Sequence, residues 1–209
     1  MKALAINGSP RKEGNTAFAL QQIGNSLKEE GIDFEMAHIG HKAIHGCIDC
    51  NKCFRSKDDK CSSFDDAVNE VFPLMRDADA LLLGSPVYFS GIAGTMKCFL
   101  DRAFFVASVN ERCFRHKIGA SVATVRRSGG MTTFNSLNHY LLYSEMFVAG
   151  SSYWNVLHGR KPGESAQDHE GIQTMRTLGK NIAWILKVKN SSNQDKLPPD
   201  AKVYTNFIR

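Results

Sequence analysis

No run of about 18 consecutive apolar residues, the length a helix needs to cross a bilayer, occurs in the 209 residues. Both common glycine-rich nucleotide signatures are missing. No Gly-Lys-Ser/Thr follows four residues after a glycine, and no Gly-x-Gly-x-x-Gly opens a helix, so neither a Walker loop nor a dinucleotide fingerprint is present. No Ser-His-Asp arrangement stands out, and no internal repeat is visible. Asp and Glu are absent from Arg112 through Ser144, a stretch that carries five Arg or Lys residues. Cysteine is absent from most of the chain: of six, four fall between Cys47 and Cys61, while Cys98 and Cys113 stand apart. A disulfide framework would spread its cysteines more evenly.

The composition is 43% hydrophobic and 22% charged, which is ordinary globular usage and speaks against wholesale disorder. The length suits one domain able to bury a sizeable core. A net charge of +5 is too mild for a protein that coats nucleic acid. The first residues, Met1 to Asn7, read as a strand running at once into a turn, where a signal peptide needs a longer apolar run and a small-residue cleavage site. These features lead us to expect a cytoplasmic protein with reduced thiols, no membrane partner and no nucleic-acid partner. Clustered thiols in that setting favour metal or redox chemistry.

Short apolar runs alternate with longer amphipathic ones, the pattern of a parallel sheet covered by helices on both faces. Strands are expected over Ala3–Ile6, Phe34–Ile39, Ala80–Gly84 and Ile118–Val125, with a last strand inside Val148–Leu157. Helices are expected over Thr16–Glu29, Phe64–Met75, Met96–Val106 and Thr132–Phe147. A final helix is N-capped by Asp168 and carries a stripe of Ile172, Met175, Leu178, Ile182, Ile185 and Leu186. The expected fold class is α/β: a flavodoxin-like doubly wound sheet of five parallel strands in the order 2-1-3-4-5. Residues 1–189 form this domain, with a cysteine-rich insertion at 45–61. Residues 190–209 form a tail, in which Asn190 to Gln194 and Pro198-Pro199 read as a mobile linker and Val203 to Ile208 as a segment apolar enough to dock.

Three loops on one edge of this sheet carry chemistry. The first strand runs into Gly8-Ser9-Pro10-Arg11-Lys12-Glu13-Gly14-Asn15-Thr16, where backbone N–H groups of the next helix favour an anion. Ser9, Asn15, Thr16 and Arg11 add side-chain donors. A plain Gly/Pro turn explains the glycines but not this density of donors, and a monophosphate, hence a mononucleotide, is the simplest occupant. Beyond the most apolar strand, Gly84-Ser85-Pro86-Val87-Tyr88-Phe89-Ser90-Gly91 offers an apolar wall for a planar ring, although such aromatics are also common in cores. The third loop, Val125-Arg126-Arg127-Ser128-Gly129-Gly130, offers arginines and backbone amides for negative charge. The acid-free stretch around it reads as a solvated basic face or as a field suited to anionic cofactors.

Cys47-Ile48-Asp49-Cys50-Asn51-Lys52-Cys53 with Cys61 spells Cys-x2-Cys-x2-Cys-x7-Cys. Two consecutive Cys-x2-Cys steps wrap three thiolates round one centre, and the fourth completes it. Zinc sites more often pair two knuckles across a longer gap, so the tight run favours a [4Fe–4S] cluster. A redox-active thiol pair, or thiols packed as small hydrophobes, are the alternatives. Lys52, Arg55, Lys57 and Lys60 are expected to lower the thiol pKa values. His38, His41 and His45 read as surface residues, and Cys98 and Cys113 as structural.

Taken together, these motifs resemble the flavodoxin-like NAD(P)H-dependent FMN reductases, and within them the iron–sulfur flavoproteins. The carriers are Gly8-Ser9-Pro10-Arg11 with Gly14-Asn15-Thr16, then Ser85-Pro86-Val87-Tyr88, Lys97-Cys98-Phe99-Leu100-Asp101-Arg102 and Arg126-Arg127-Ser128-Gly129-Gly130. The resemblance implies that Ser9, Arg11, Asn15 and Thr16 hold the FMN phosphate. It implies that Pro86, Val87, Tyr88 and Phe89 contact the ribityl chain and isoalloxazine, and that Gly129, Gly130 and Arg127 approach the pyrimidine edge. Cys47, Cys50, Cys53 and Cys61 become the cluster ligands, and Asp101-Arg102 a structural helix pair beneath the site. An FMN-dependent oxidoreductase follows, with NAD(P)H or a reduced carrier protein as donor. A homodimer or homotetramer would bring the cluster of one chain toward the flavin of another. The alternatives are a cluster-free NAD(P)H-dependent FMN or quinone reductase, and a non-catalytic redox sensor.

Overall fold

A computed structural model describes residues 1–192, 197–205 and 207. Five main segments build the sheet: β1 (Lys2–Asn7), β2 (Asp33–His38), β3 (Ala80–Tyr88), β5 (Ile118–Val125) and a split edge strand, β6 (Phe147–Val148) with β7 (Val156–His158). β4 (Gly91–Ile92) is a two-residue antiparallel partner that turns back on the end of β3. The order is β2-β1-β3-β5-β6, with β7 also paired to β5, and every one of these pairings is parallel. With β4 set aside, this is the expected 2-1-3-4-5 order. The pairing is parallel because helices cross over the sheet between successive strands, α1 (Asn15–Glu29), α3 (Ala67–Asp77), α4 (Gly94–Val109) and α5 (Gly130–Tyr143), and α6 (His169–Ser191) follows the last strand. A short helix, α2 (Lys52–Ser56), lies within the cysteine-rich segment.

The two faces of the sheet own separate cores. Along β1, Leu4 and Ile6 pack toward α3 and α4, whereas Ala3 and Ala5 face α1 and α6. β3 divides the same way, Leu81 and Leu83 against Ala80 and Leu82. The α1 and α6 pair is close: a Cβ on Gly179 would stand 2.7 Å from the Ile23 carbonyl oxygen. Asp168 caps α6 by accepting from Gly171 N at 2.9 Å, as its sequence position suggests.

Several boundaries move, each for a local reason. α3 begins at its N-cap Asp66, whose Oδ1 accepts from Val68 N at 3.1 Å, and Phe64 is left outside to stack on His45. α5 ends at Tyr143, because Glu145 adopts a left-handed backbone (φ 56°) and its carboxylate pairs with Arg112 and Arg115. Phe147 is therefore in β6, aligned with Ile118, and not in the helix. The last strand is broken at residues 149–155, which places Tyr153 and Trp154 outside the sheet. α6 runs through Asn190 to Ser191. Beyond it, the Leu197 carbonyl accepts from Arg115, and Lys202 lies 5.0 Å from the Tyr143 ring. Val203, Tyr204 and Phe207 are exposed. Asn193 and Gln194 of the expected linker, and Asn206 and Ile208 of the expected docking segment, lie outside the described residues. No helix among the described residues is long and apolar enough to cross a membrane.

Candidate cofactor and thiolate sites

Parallel strands end together, so the loops after β1, β3, β5 and β7 meet at one edge of the sheet. There they enclose a cavity of about 220 Å³ lined by Ser9, Arg11, Asn15 and Thr16 together with Pro86, Val87 and Tyr88. Thr124, Arg126, Gly159 and Arg160 complete it. The first loop is held from within. Asn7 Oδ1 accepts from Ser9 N at 3.0 Å, and Ser9 Oγ accepts from Arg11 N at 3.2 Å. His38, read as a surface residue, has its Nε2 at 2.7 Å from the Ser9 carbonyl oxygen and so braces the loop. Thr16 is buried, with its hydroxyl 2.6 Å from that of Thr124.

The cavity fits a hydroxyl-bearing phosphate monoester on two observations, free donors for the phosphate and an orphaned acceptor for a hydroxyl. The α1 N-terminus opens into the cavity, and its N-cap residue, Gly14, supplies no side-chain cap to compete for the free N–H groups. Asn15 Oδ1 is a buried side-chain atom without a hydrogen-bond partner, the one such atom among the described residues. A buried amide left unpaired costs about 1–3 kcal/mol, which a ligand carrying hydroxyls would recover.

The other residues read as flavin contacts divide between two places. Arg127, Gly129 and Gly130 line a neighbouring cavity of about 390 Å³, together with Tyr153, Trp154 and His158. The β5–α5 loop is tied to the tip of the β3–β4 hairpin, where the Thr132 hydroxyl donates to the Ser90 carbonyl oxygen at 2.6 Å. Gly129 has φ 88°, and a Cβ there would stand 2.8 Å from Ser90 Oγ, so both conformation and contact call for glycine. Phe89 sits at the hairpin tip with φ 49° and is fully exposed, outside the lining of either cavity.

The acid-free stretch splits between opposite sheet edges. Arg112 and Arg115 pair with Glu145, and Lys117 Nζ donates to the Arg76 and Ala78 carbonyl oxygens at the amino-terminal edge. Of the five basic residues, Arg126 and Arg127 reach the cofactor edge. The expectation of one continuous field therefore narrows to those two, joined by Arg11 and Arg160.

Cys47, Cys50, Cys53 and Cys61 line one small pocket of about 20 Å³, along with Ser63, Phe64 and Arg102. Asp49, Asn51, Lys57 and Asp59 all have positive φ, which folds the segment back on itself. No group of three or more described His, Cys, Asp or Glu side chains is arranged to hold a metal ion as the loop stands. The donor chemistry nonetheless fits a tetrathiolate centre. Four thiols share the pocket, and two of their sulfurs already take hydrogen bonds: Cys50 Sγ is 2.9 Å from Ser63 Oγ, and Cys61 Sγ is 3.2 Å from Arg102 Nε.

Their ionisation follows the expected direction at Cys50 and departs from it at Cys53. The Ser63 hydroxyl, aided by the Lys52 backbone, lowers the Cys50 pKa. Burial, followed by the neighbouring Cys61, raises that of Cys53 despite the basic residues nearby. Cys113 is pushed up to about 11 by burial. Cys98 is nearer the thiol loop than its sequence position suggests: a Cβ on Gly46 would lie 3.9 Å from its Sγ.

Sequence reasoning passed over Thr124, Gly159 and Arg160, and kept Arg126 only as a motif member. A polar residue closing an apolar strand, and Gly-Arg directly after the last strand, were the available signals. Arg102 was placed with Asp101 as a structural pair. Asp101 does brace Tyr140, whose hydroxyl donates to it at 2.5 Å, but Arg102 turns to the thiol loop.

The fold and its edge cleft define a flavodoxin-like protein with a phosphate-type loop, beside a four-thiol pocket. The chain matches the family model described as NADPH-dependent FMN reductase over residues 1–161. An iron–sulfur flavoprotein of Methanocaldococcus jannaschii is 36% identical over 195 residues, covering 90% of this chain and 98% of that protein. One from Archaeoglobus fulgidus is 36% identical over 197 residues, covering 88% and 95%. An archaeal flavodoxin structure shares the fold, with a TM-score of 0.59 at 20% identity over 90% of this chain and 99% of that one. The chain belongs to the NADPH-dependent FMN reductase family, in its iron–sulfur flavoprotein group, and is an FMN-dependent oxidoreductase.

Proposed function

We propose that this oxidoreductase is an electron-transfer flavoprotein that carries a [4Fe–4S] cluster and exchanges electrons with a small-molecule or protein donor and acceptor. The observation that carries this reading is the pairing, in one chain, of a cleft lined by phosphate-type donors with four thiols around one pocket. When bound, FMN supplies electron transfer in steps of one or two electrons, and a cluster stores one at a time.

The side chains bind, orient and tune. Ser9, Thr16 and the α1 N–H groups hold the phosphate, and Arg11 offsets its charge, joined by Arg126 and Arg160. Asn15 turns its unpaired amide oxygen to a ligand hydroxyl. Pro86, Val87 and Tyr88 form the wall that keeps water from one side of the ring system, with Phe89 at its outer end. Gly129 and Gly130 bring backbone N–H groups to the pyrimidine edge, where Arg127 adds positive charge. Cys47, Cys50, Cys53 and Cys61 hold the cluster. The thiol pocket and the phosphate cavity share no lining residue. A homodimer or homotetramer, which the family resemblance implies, would bring one chain's cluster to another's flavin.

The test is the absorption spectrum, iron and acid-labile sulfide of full-length protein purified without oxygen. Flavin bands with bound iron and sulfide are expected. The double variant C50A/C53A is expected to lose the cluster absorbance and keep FMN, and loss of both would overturn the separation of the two sites. FMN without iron would leave the second reading, a cluster-free NAD(P)H-dependent reductase, which the family's own description favours.

A further inference from the structure

The cysteine-rich segment is gripped by one arginine from across the core. Arg102, on α4, is 2% exposed, among the largest fully buried side chains. Among the described residues, all four of its side-chain hydrogen bonds go to residues 45–66. Nε donates to Cys61 Sγ at 3.2 Å, and Nη1 to the His45 carbonyl oxygen at 3.2 Å and to Asp66 Oδ2 at 2.5 Å. Nη2 donates to the Phe64 carbonyl oxygen at 3.2 Å, and the Phe64 ring lies 5.0 Å from the guanidinium carbon. Asp66, with its side chain 14% exposed, is the single carboxylate among the described residues paired with this charge.

A buried cation is costly unless paired, and a loop brace needs no charge at all. The carbonyl contacts alone would fix the loop. What they leave unexplained is an N–H aimed at a ligand-type sulfur and a guanidinium held in place by one carboxylate.

We propose that Arg102 is a positioning residue for the thiolate centre, and that its Nε–H bond to Cys61, with its charge balanced by Asp66, raises the reduction potential of the iron–sulfur group there. This rests on the cluster reading above. Reduction adds one electron to the thiolate-ligated group, breaks no bond and makes the site one unit more negative. A hydrogen bond to a ligand sulfur and a fixed nearby cation both favour that added charge. Removing the cation should lower the potential. Removing the counter-charge on Asp66 should raise it.

The experiment is a mediated anaerobic titration with dithionite on iron-loaded, full-length protein, followed by visible absorbance and electron paramagnetic resonance. Wild type is compared with R102Q, R102K and D66N; the last keeps an Oδ1 acceptor to cap α3. A lower midpoint in R102Q, a value nearer wild type in R102K and a higher midpoint in D66N support the assignment. Unchanged midpoints, or shifts of the same sign in R102Q and D66N, overturn it while leaving the bound iron to support the cluster. If R102Q retains no iron, D66N decides: a rise supports the assignment and no rise overturns it. Wild-type protein without iron overturns the cluster reading and this inference with it.

Discussion

The hydroxyls of Thr16 and Thr124 lie 2.6 Å apart in a buried bond that joins the first turn of α1 to the end of β5. When Thr124 donates, the Thr16 proton is left free for an oxygen in the phosphate cavity. T124V keeps the shape and removes this orientation. One net hydrogen bond is worth about 1 kcal/mol. The FMN dissociation constant is therefore expected to rise by about 3- to 10-fold, read from flavin fluorescence on titration of the apoprotein. Unchanged affinity would show that the pair serves packing alone.

Two glycines with the same backbone hand separate strain from contact. Gly129 has φ 88° with Ser90 Oγ 2.8 Å from a built Cβ, whereas Gly31 has φ 78° with nothing within 4 Å. Alanine at either site meets the left-handed penalty, about 1–2 kcal/mol. G129A is expected to lose further stability and to release FMN more readily, because it pushes the β3–β4 tip away. G31A is expected to keep FMN fully. Melting temperature and flavin content after gel filtration report both effects, and equal flavin content in the two variants would contradict the account.

In metal-free protein, Cys50 is expected to alkylate with an inflection below the ordinary thiol value, since Ser63 and the Lys52 backbone stabilise its thiolate. S63A should move that inflection upward. Mass-resolved iodoacetamide labelling across pH measures it site by site. An inflection that S63A leaves in place would assign the effect to another group.

Alkaline pH should destabilise the fold through Cys113. Its folded value, about 11, stands above the ordinary 9.0, so below about pH 9 its contribution is fully present. Between about pH 9 and 11 the unfolded thiol ionises while burial keeps the folded one neutral, and stability falls. Tyr140 adds to the loss at still higher pH, because burial and then its bond to Asp101 hold it neutral. Urea midpoints are expected to drop over this range and to drop less in C113A. Parallel curves for the two proteins would refute the assignment.

Two candidate sites were legible in the sequence because each is local. Gly8 to Thr16 is one strand-to-helix turn, and Cys47 to Cys61 is one loop, so spacing alone could suggest their chemistry. Thr124, Gly159 and Arg160 join the phosphate cavity from strands remote in sequence, and periodicity carries no signal for that meeting. The ionisation of the thiols was foreseen in direction at Cys50 and misjudged at Cys53 for the same reason. Charge counted along the chain suggested uniformly lowered values, whereas Ser63 and burial set them apart.

Alternating apolar runs and crossover helices determined the doubly wound sheet, because hydrophobic period and right-handed crossovers leave few other topologies, and the flavodoxin-like pattern supplied the expected strand order. Tertiary structure alone decided which side chains share a cavity. It sent Lys117 to one sheet edge and Arg126 to the other, although only the eight residues of one strand lie between them. The reason is geometric: a strand of eight residues, Ile118–Val125, carries its two ends to opposite sides of the molecule. It also turned Arg102 away from its neighbour Asp101 and onto Cys61, since consecutive residues on a helix face different directions.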